Sequence, residues 1–355
     1  MMEIRNLKDW RLAFRVCDNL GMQWANLKAV DGSLWLISYN EGGFIRYRLG
    51  EWNGREFASA ANLVVLEEVL DALSEFYDPQ PIPLRLDGDA LILGDQGDGG
   101  MWAVSRVNLA GYEYGFEIPS LPEGREDITY ALGRAAPLCS FPFIKDARGM
   151  NMVMLADVDG NRYALAASPY YAHIIHIGSS VGDPLSIEIP SSTIPLINLL
   201  WGESFSVSLR GDWLVAEGNL GQIGFRVYPN PNAVKLAQSI LGYLGMEARC
   251  SARLTNILPV WEAMRAFRAS GSGRLQIQMG DGKVEFYWED EYRGHIRTTV
   301  PSQTDGRGSI YVSLEFFSKL IKPIPEDAPI QMDIVDMRFV RISADSHHCV
   351  LAGMV

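Results

Sequence analysis

The chain has 355 residues, nearly half of them apolar (48%), and carries a formal net charge of −12. That length predicts two or three domains with ample core, and the acidic balance argues against a general nucleic-acid coat, because phosphate repels such a surface. Net charge is a sum, however, and a local basic stripe can hide inside it. The four cysteines, Cys17, Cys139, Cys250 and Cys349, lie far apart with no CxxC pair. They read as reduced thiols of a cytoplasmic protein rather than a disulfide framework. MMEIRNLKDW lacks an apolar signal core and no stretch approaches the ~20 apolar residues of a membrane span, so the chain reads as soluble and unprocessed.

Taken in order, the chain repeats one pattern: a strand, a helix, then three strands joined by tight turns. Met2–Ile4 starts the first copy, and Asn6 is placed to cap a helix over Leu7–Leu20 whose Leu7, Trp10, Phe14 and Cys17 share a face. Strands at Gln23–Val30, Ser33–Tyr39 and Phe44–Leu49 follow, with Asp31–Gly32 as the first hairpin signal. The second copy places a strand at Glu56–Ala60, a helix over Asn62–Phe76, and strands at Ile82–Leu86, Ala90–Leu93 and Met101–Val107. Asn108–Glu126 reads as a linker.

The third copy is the least regular, since Pro137 and Pro142 shorten or break its helix over Tyr130–Phe141. Its strands are Met152–Asp157, Arg162–Ala167 and Ala172–Ile177. The fourth runs from Leu185 to Pro229: strand, a helix over Thr193–Trp201, and strands starting at Phe205, Trp213 and Ile223 around an Arg210–Gly211–Asp212 turn. Ala233–Leu244 has a helical pattern and reads as part of a second linker. The fifth has a strand at Glu247–Ala252, a helix over Thr255–Phe267 capped by Thr255, and strands Leu275–Met279, Val284–Trp288 and Arg293–Thr299. The sixth has Ser309–Val312, a helix capped by Ser313, and strands Ile330–Val335, Arg338–Ile342 and His348–Met354. The short turns recur at Asp31, Asp87, Asp159, Gly211, Asp281 and Asp336. Alternating spacing groups the copies into three pairs of about 110 residues, each the size of a domain.

A catalytic constellation is absent from the pattern: no GxxxxGK[ST], no HExxH, no GxSxG. Asp157–Asn161 brushes against a calcium loop but its glycine is misplaced, and it reads as a surface hairpin. His173 and His176, three apart in a strand, point to opposite faces and do not chelate together. Ser346–Cys349 has metal-ligating residue types but needs partners from elsewhere, so it reads as an ordinary strand terminus. The basic residues are more informative. Lys8, Arg11 and Arg15 form a stripe on the first helix; Arg134, Lys145 and Arg148 gather around the third. Arg265 and Arg268 share a face of the fifth, and Lys319 and Lys322 share one of the sixth. The second helix instead carries Glu67, Glu68, Asp71 and Glu75. Any one stripe is equally well a solvated helix face.

Three domains of doubled helix-plus-sheet units resemble the bacterial DNA polymerase processivity factor, the β sliding clamp, over essentially the whole chain. The match is best in GSIYVSLEFFSKLIKPI, PEDAPIQMDIVDMRFVRIS and HHCVLAGMV. The resemblance implies an α+β DNA-clamp fold with domains at 1–120, 121–243 and 244–355, closing as a head-to-tail homodimer into a six-domain ring. Its helices would line a channel for duplex DNA, touching phosphate through Lys8, Arg11, Arg15, Arg134, Lys145, Arg148, Arg265, Arg268, Lys319 and Lys322. It further implies a non-enzymatic protein of the cytoplasm and nucleoid, without cofactor, metal or membrane, whose polymerase and clamp-loader partners insert a short peptide into an apolar pocket. Val350, Ala352 and Met354 match pocket positions. Tyr170 and Tyr171, in Ser168–Tyr171, replace the family's Asp-Gly-His-Arg-type loop, and Gly353 stands where the family usually has proline. The family's glycine-arginine loop after the first helix is missing. A peptide-binding adaptor or decoy that keeps the fold without encircling DNA is the alternative these departures leave open.

Overall fold

The computed structural model describes residues 2–4, 7–78, 80–88, 90–95, 102–106, 118–123, 126–140, 152–180, 182–201, 205–268, 273–290 and 294–354. Its helices are α1 (Leu7–Asn19), α2 (Leu63–Tyr77), α3 (Thr129–Ala135), α4 (Thr193–Trp201), α5 (Pro231–Leu244), α6 (Leu258–Arg268) and α7 (Leu314–Ile321). Proline shortens the third: α3 ends at Ala135 and continues as a 3₁₀ turn over Ala136–Ser140, with Pro137 inside it. The predicted cap Asn6 lies outside the described residues. Asn62 caps α2, accepting from the Val64 and Val65 amides, and Ser313 caps α7 through the Phe316 amide. The fifth copy departs from expectation, for α6 begins at Leu258 and Asn256, not Thr255, accepts the Leu258 amide at 3.2 Å.

Hairpin chemistry follows the sequence closely. Asp31–Gly32, Asp159–Gly160, Asp281–Gly282 and Asp336–Met337 all have positive φ at both positions, the mirror-image turn that matches strand twist. The Asp157–Asn161 segment is such a hairpin, and Asp157 is spent on a buried two-pronged pair with Arg162 at 2.8 and 2.9 Å.

Among the described residues the strands form two long and two four-stranded sheets, and the chain divides into two compact units. One unit comprises residues 1–129 and 192–227. Its eight-stranded sheet pairs strand Gly43–Glu51 antiparallel with Gly221–Arg226, in the register Phe44↔Gly224. The Phe44 ring lies 5.4 Å from that of Trp213. A methyl group on Gly224 would sit 1.9 Å from the Phe44 ring, so only glycine admits that ring. Helices α1, α2 and α4 belong to this unit, with Trp10, Phe14, Leu66, Leu70 and Ile197 buried.

The other unit comprises residues 130–191 and 228–355. Its ten-stranded sheet joins strand Tyr171–Ser179 to His347–Ala352, in the register His173↔Cys349. Of the segment 121–243, expected as a middle domain, residues 121–129 and 192–227 fall in the first unit and 130–191 and 228–243 in the second. Helix α5 is more than a connector. Ala233, Ala237 and Ile240 bury it against a core that includes Ala156, Leu165, Ile174 and Phe339. Burial of small and branched side chains at this spacing fixes the helix to the sheet.

Candidate peptide cleft and basic helix faces

A cleft of about 360 Å³ opens beside α5 in the second unit. Leu236, Ser239, Ile240, Tyr243 and Met246 form one wall; Ala167, Ala172, Phe339, Val350 and Ala352 supply the apolar floor and far side. The Ser168–Tyr171 turn closes one end. Ser168 Oγ accepts the amides of Tyr170 (3.2 Å) and Tyr171 (3.3 Å), and the Ser168 amide donates to the Tyr171 carbonyl at 2.7 Å. This local hydrogen bonding presents Tyr170, 61% exposed, while Tyr171 is buried. Both rings meet Phe316 of α7: Tyr170 stacks at 6.1 Å between centroids and Tyr171 lies at 4.8 Å. Burial pushes the Tyr171 phenol above its ordinary pKa, so it stays a neutral donor.

The cleft brings together Tyr170, Tyr171, Val350 and Ala352. Met354 is not among its lining residues; its amide donates to the Tyr311 carbonyl at 2.7 Å and its side chain is 41% exposed. Sequence reasoning missed the α5 wall and Phe339. Their signal was present: Leu236, Ile240 and Tyr243 recur at helical spacing, and a connector has no need of such a stripe. Asp336 and Arg338, an exposed pair at 3.4 Å, add the charged rim.

The basic residues are dispersed. On α1, Lys8, Arg11 and Arg15 are exposed, but Arg11 is bound to Asp71 of α2 through Nε at 3.0 Å and Nη2 at 2.5 Å. The acidic helix thereby neutralises the centre of the stripe, and Glu67, Glu68 and Glu75 are exposed on α2 alongside. Arg134 is turned inward and donates to Ser346 Oγ. Arg265 of α6 and Lys322 beside α7 are exposed, whereas Lys319 pairs with Glu315 one turn away at 2.5 Å. Helices α6 and α7 pack together. Lys145 and Arg148 lie outside the described residues, as does the Arg268 side chain.

Among the described residues no group of three or more histidine, cysteine or acidic side chains is placed to hold a metal ion. The histidines do meet, though: His173 Nε2 and His347 Nδ1 are 3.1 Å apart across the strand seam. Burial drives His173 well below the usual imidazole pKa, reinforced by His347 and His348. Burial, then the nearby Arg134 charge, lowers His347 to about 4. This is a neutral imidazole pair built into the sheet.

No family model matches the sequence, and no curated protein matches it either. Solved structures do match, end to end. The chain superposes on the DNA polymerase sliding clamp of Pseudomonas aeruginosa with a TM-score of 0.77 at 13% identity, covering 100% of this chain and 98% of that one. The fold is that of the sliding clamp. The Helicobacter pylori beta clamp bound to a DNA ligase peptide gives 0.76 at 13% identity, with 100% of both chains covered. The DNA polymerase III subunit beta of Borrelia burgdorferi, in complex with a natural product, gives 0.76 at 11%, covering 99% and 97%. A clamp fold matched end to end at such low identities marks a divergent member. Among the described residues no helix is long and apolar enough to cross a membrane.

Proposed function

We propose that this chain is a DNA sliding clamp, a non-enzymatic processivity factor. Two copies join head to tail, each with domains at 1–120, 121–243 and 244–355, and close a ring around duplex DNA in the cytoplasm and nucleoid. The ring tethers the replicative polymerase and accepts the clamp loader through short peptides seated in the α5 cleft. The observation that carries this reading is the clamp fold along the full chain, with an apolar cleft inside it. A clamp of Helicobacter pylori is bound to a DNA ligase peptide, and the cleft here has the apolar floor and aromatic end that a short peptide with bulky residues needs. Topological binding needs no base readout, so a sparse lining of Lys8, Arg15, Arg265, Lys319 and Lys322 suffices, and an acidic exterior disfavours DNA outside the ring. Loading onto nicked circular DNA by an ATP-dependent clamp loader tests it: the protein stays on the circle and is released when the DNA is linearised. Equal retention on both forms refutes topological binding.

The adaptor reading draws on one specific contact. The Arg11–Asp71 pair and the acid-rich α2 weaken the first unit's hold on phosphate. An adaptor binds peptide in the α5 cleft and sediments as a monomer at micromolar concentration; a clamp binds peptide and sediments as a dimer.

A further inference from the structure

We infer that Arg341, which lies outside the cleft, is the residue that positions its helical wall. Arg341 and Asp333 face each other across a hairpin and are almost wholly buried, at 9% and 1% exposure. The guanidinium grips the Asp333 carboxylate through Nε at 2.7 Å and Nη2 at 2.6 Å. Its remaining arm, Nη1, reaches out of the sheet and donates to the carbonyls of Leu244 and Met246, the latter at 2.9 Å. These carbonyls sit where α5 ends, at Gly245, and helix ends leave carbonyls without intrahelical partners. A cation there also opposes the negative end of the helix dipole. One side chain thus closes the helix terminus, fixes it to the sheet and keeps the Asp333 charge compensated.

The link to the cleft is direct. Met246, whose carbonyl is gripped, and Tyr243, next to Leu244, both line it. Phe339, two residues before Arg341 on the same strand face, meets the Tyr243 ring at 5.2 Å. The first turn of α5 is pinned separately, by Asn230, whose side chain caps the helix and whose Nδ2 donates to Glu188. Between these ends α5 buries Ala233, Ala237 and Ile240 and packs Val234, Leu236, Leu241 and Leu244 at the edge of the core, and the clasp adds to this apolar packing the polar contact that fixes the last carbonyls. Sequence could not pair the two charges, since Asp333 and Arg341 meet only in the observed register.

Because this inference rests on reading the cleft as a peptide site, its test carries a readout independent of peptide. Arg341→Met is compared with Arg162→Met, which breaks the other buried pair of the same sheet; Asp157 there binds the Leu185 amide and not α5. In Arg341→Met, hydrogen exchange at residues 241–246 rises about tenfold or more, reporting a loosened terminal turn. Affinity for a fluorescein-labelled heptapeptide carrying adjacent leucine and phenylalanine falls about tenfold, the loss equivalent to ~1.4 kcal/mol. Arg162→Met changes neither, although its loss of thermal stability is comparable. Arg341→Lys, which keeps the charge without the fork, folds and shows intermediate exchange. Unchanged exchange at 241–246 in both Arg341 variants overturns the inference, as does equal loosening in Arg162→Met. A wild-type protein that binds no peptide overturns the peptide reading of the cleft instead, and the exchange data still decide the role of Arg341.

Discussion

Two strand seams join sequence-distant repeats, one in each unit, and they are filled by opposite chemistry. In the first, Gly43–Glu51 meets Gly221–Arg226, and the space is shared between a missing side chain at Gly224 and the Phe44 and Trp213 rings. In the second, Tyr171–Ser179 meets His347–Ala352, and four of the chain's five histidines lie on the paired strands. The backbone operation is the same, antiparallel continuation of a sheet. The first seam is therefore limited by volume and the second by charge. One backbone arrangement is thus kept at both seams while the packing at each is solved independently.

The largest effect is expected at the glycine seam. Gly224→Ala places a methyl group against Phe44 and should cost about 3 kcal/mol in urea unfolding, as overpacking of a rigid core does. Adding Phe44→Leu should restore most of it; no loss in the single variant breaks the volume account of that seam.

The histidine seam should instead answer to pH. The His347 pKa is depressed to about 4 in the fold against about 6.5 when unfolded, so the unfolded chain binds the extra proton between those values. Stability is full above pH 6.5 and is lost progressively as pH falls toward 4, with His173 adding in the same direction. His348, also lowered by burial, lies on the same strand; Arg134 opposes protonation of His347 and Asp345 favours it. Replacing His173 and His347 together by leucine should flatten thermal denaturation across that window, and an unaltered pH profile would sever the link to this pair.

A smaller change belongs to the aromatic end of the cleft. Tyr170→Ala removes an exposed stack on Phe316 and should cost about 0.5–1 kcal/mol in peptide affinity with little change in melting temperature. The smallest effect on stability, within about 0.5 kcal/mol, is expected from Arg265→Ala combined with Lys322→Ala, both exposed. That pair should shorten retention on circular DNA and shallow its salt dependence, while Arg11→Ala, already neutralised by Asp71, should do neither.

The repeat was legible because its signals are local. Paired Asp-Gly turns, caps such as Ser313 and the apolar stripe of α7 act within a few residues. What escaped depends on strand register, between distant strands in one case and within a hairpin in the other. Ile175↔His347 and Asp333↔Arg341 place His173 beside His347 and build the Arg341 clasp, and neither follows from spacing alone. Helix α5 was read as helical but as linker: its buried face, Ala233, Ala237 and Ile240, is small, and the stripe of Leu236, Ile240 and Tyr243 beside it does not say by spacing which sheet it covers. The basic stripe on α1 was visible, but its partner Asp71 sits sixty residues away, on a helix whose acidity was noted without the contact. At the cleft, the tyrosine turn and the last strand were legible by resemblance; the α5 wall was not.

Ring closure bears most directly on the clamp assignment. Single-particle projection images of the purified protein at micromolar concentration should show a hollow, closed ring made of two chains. A population of solid, monomeric particles would contradict it.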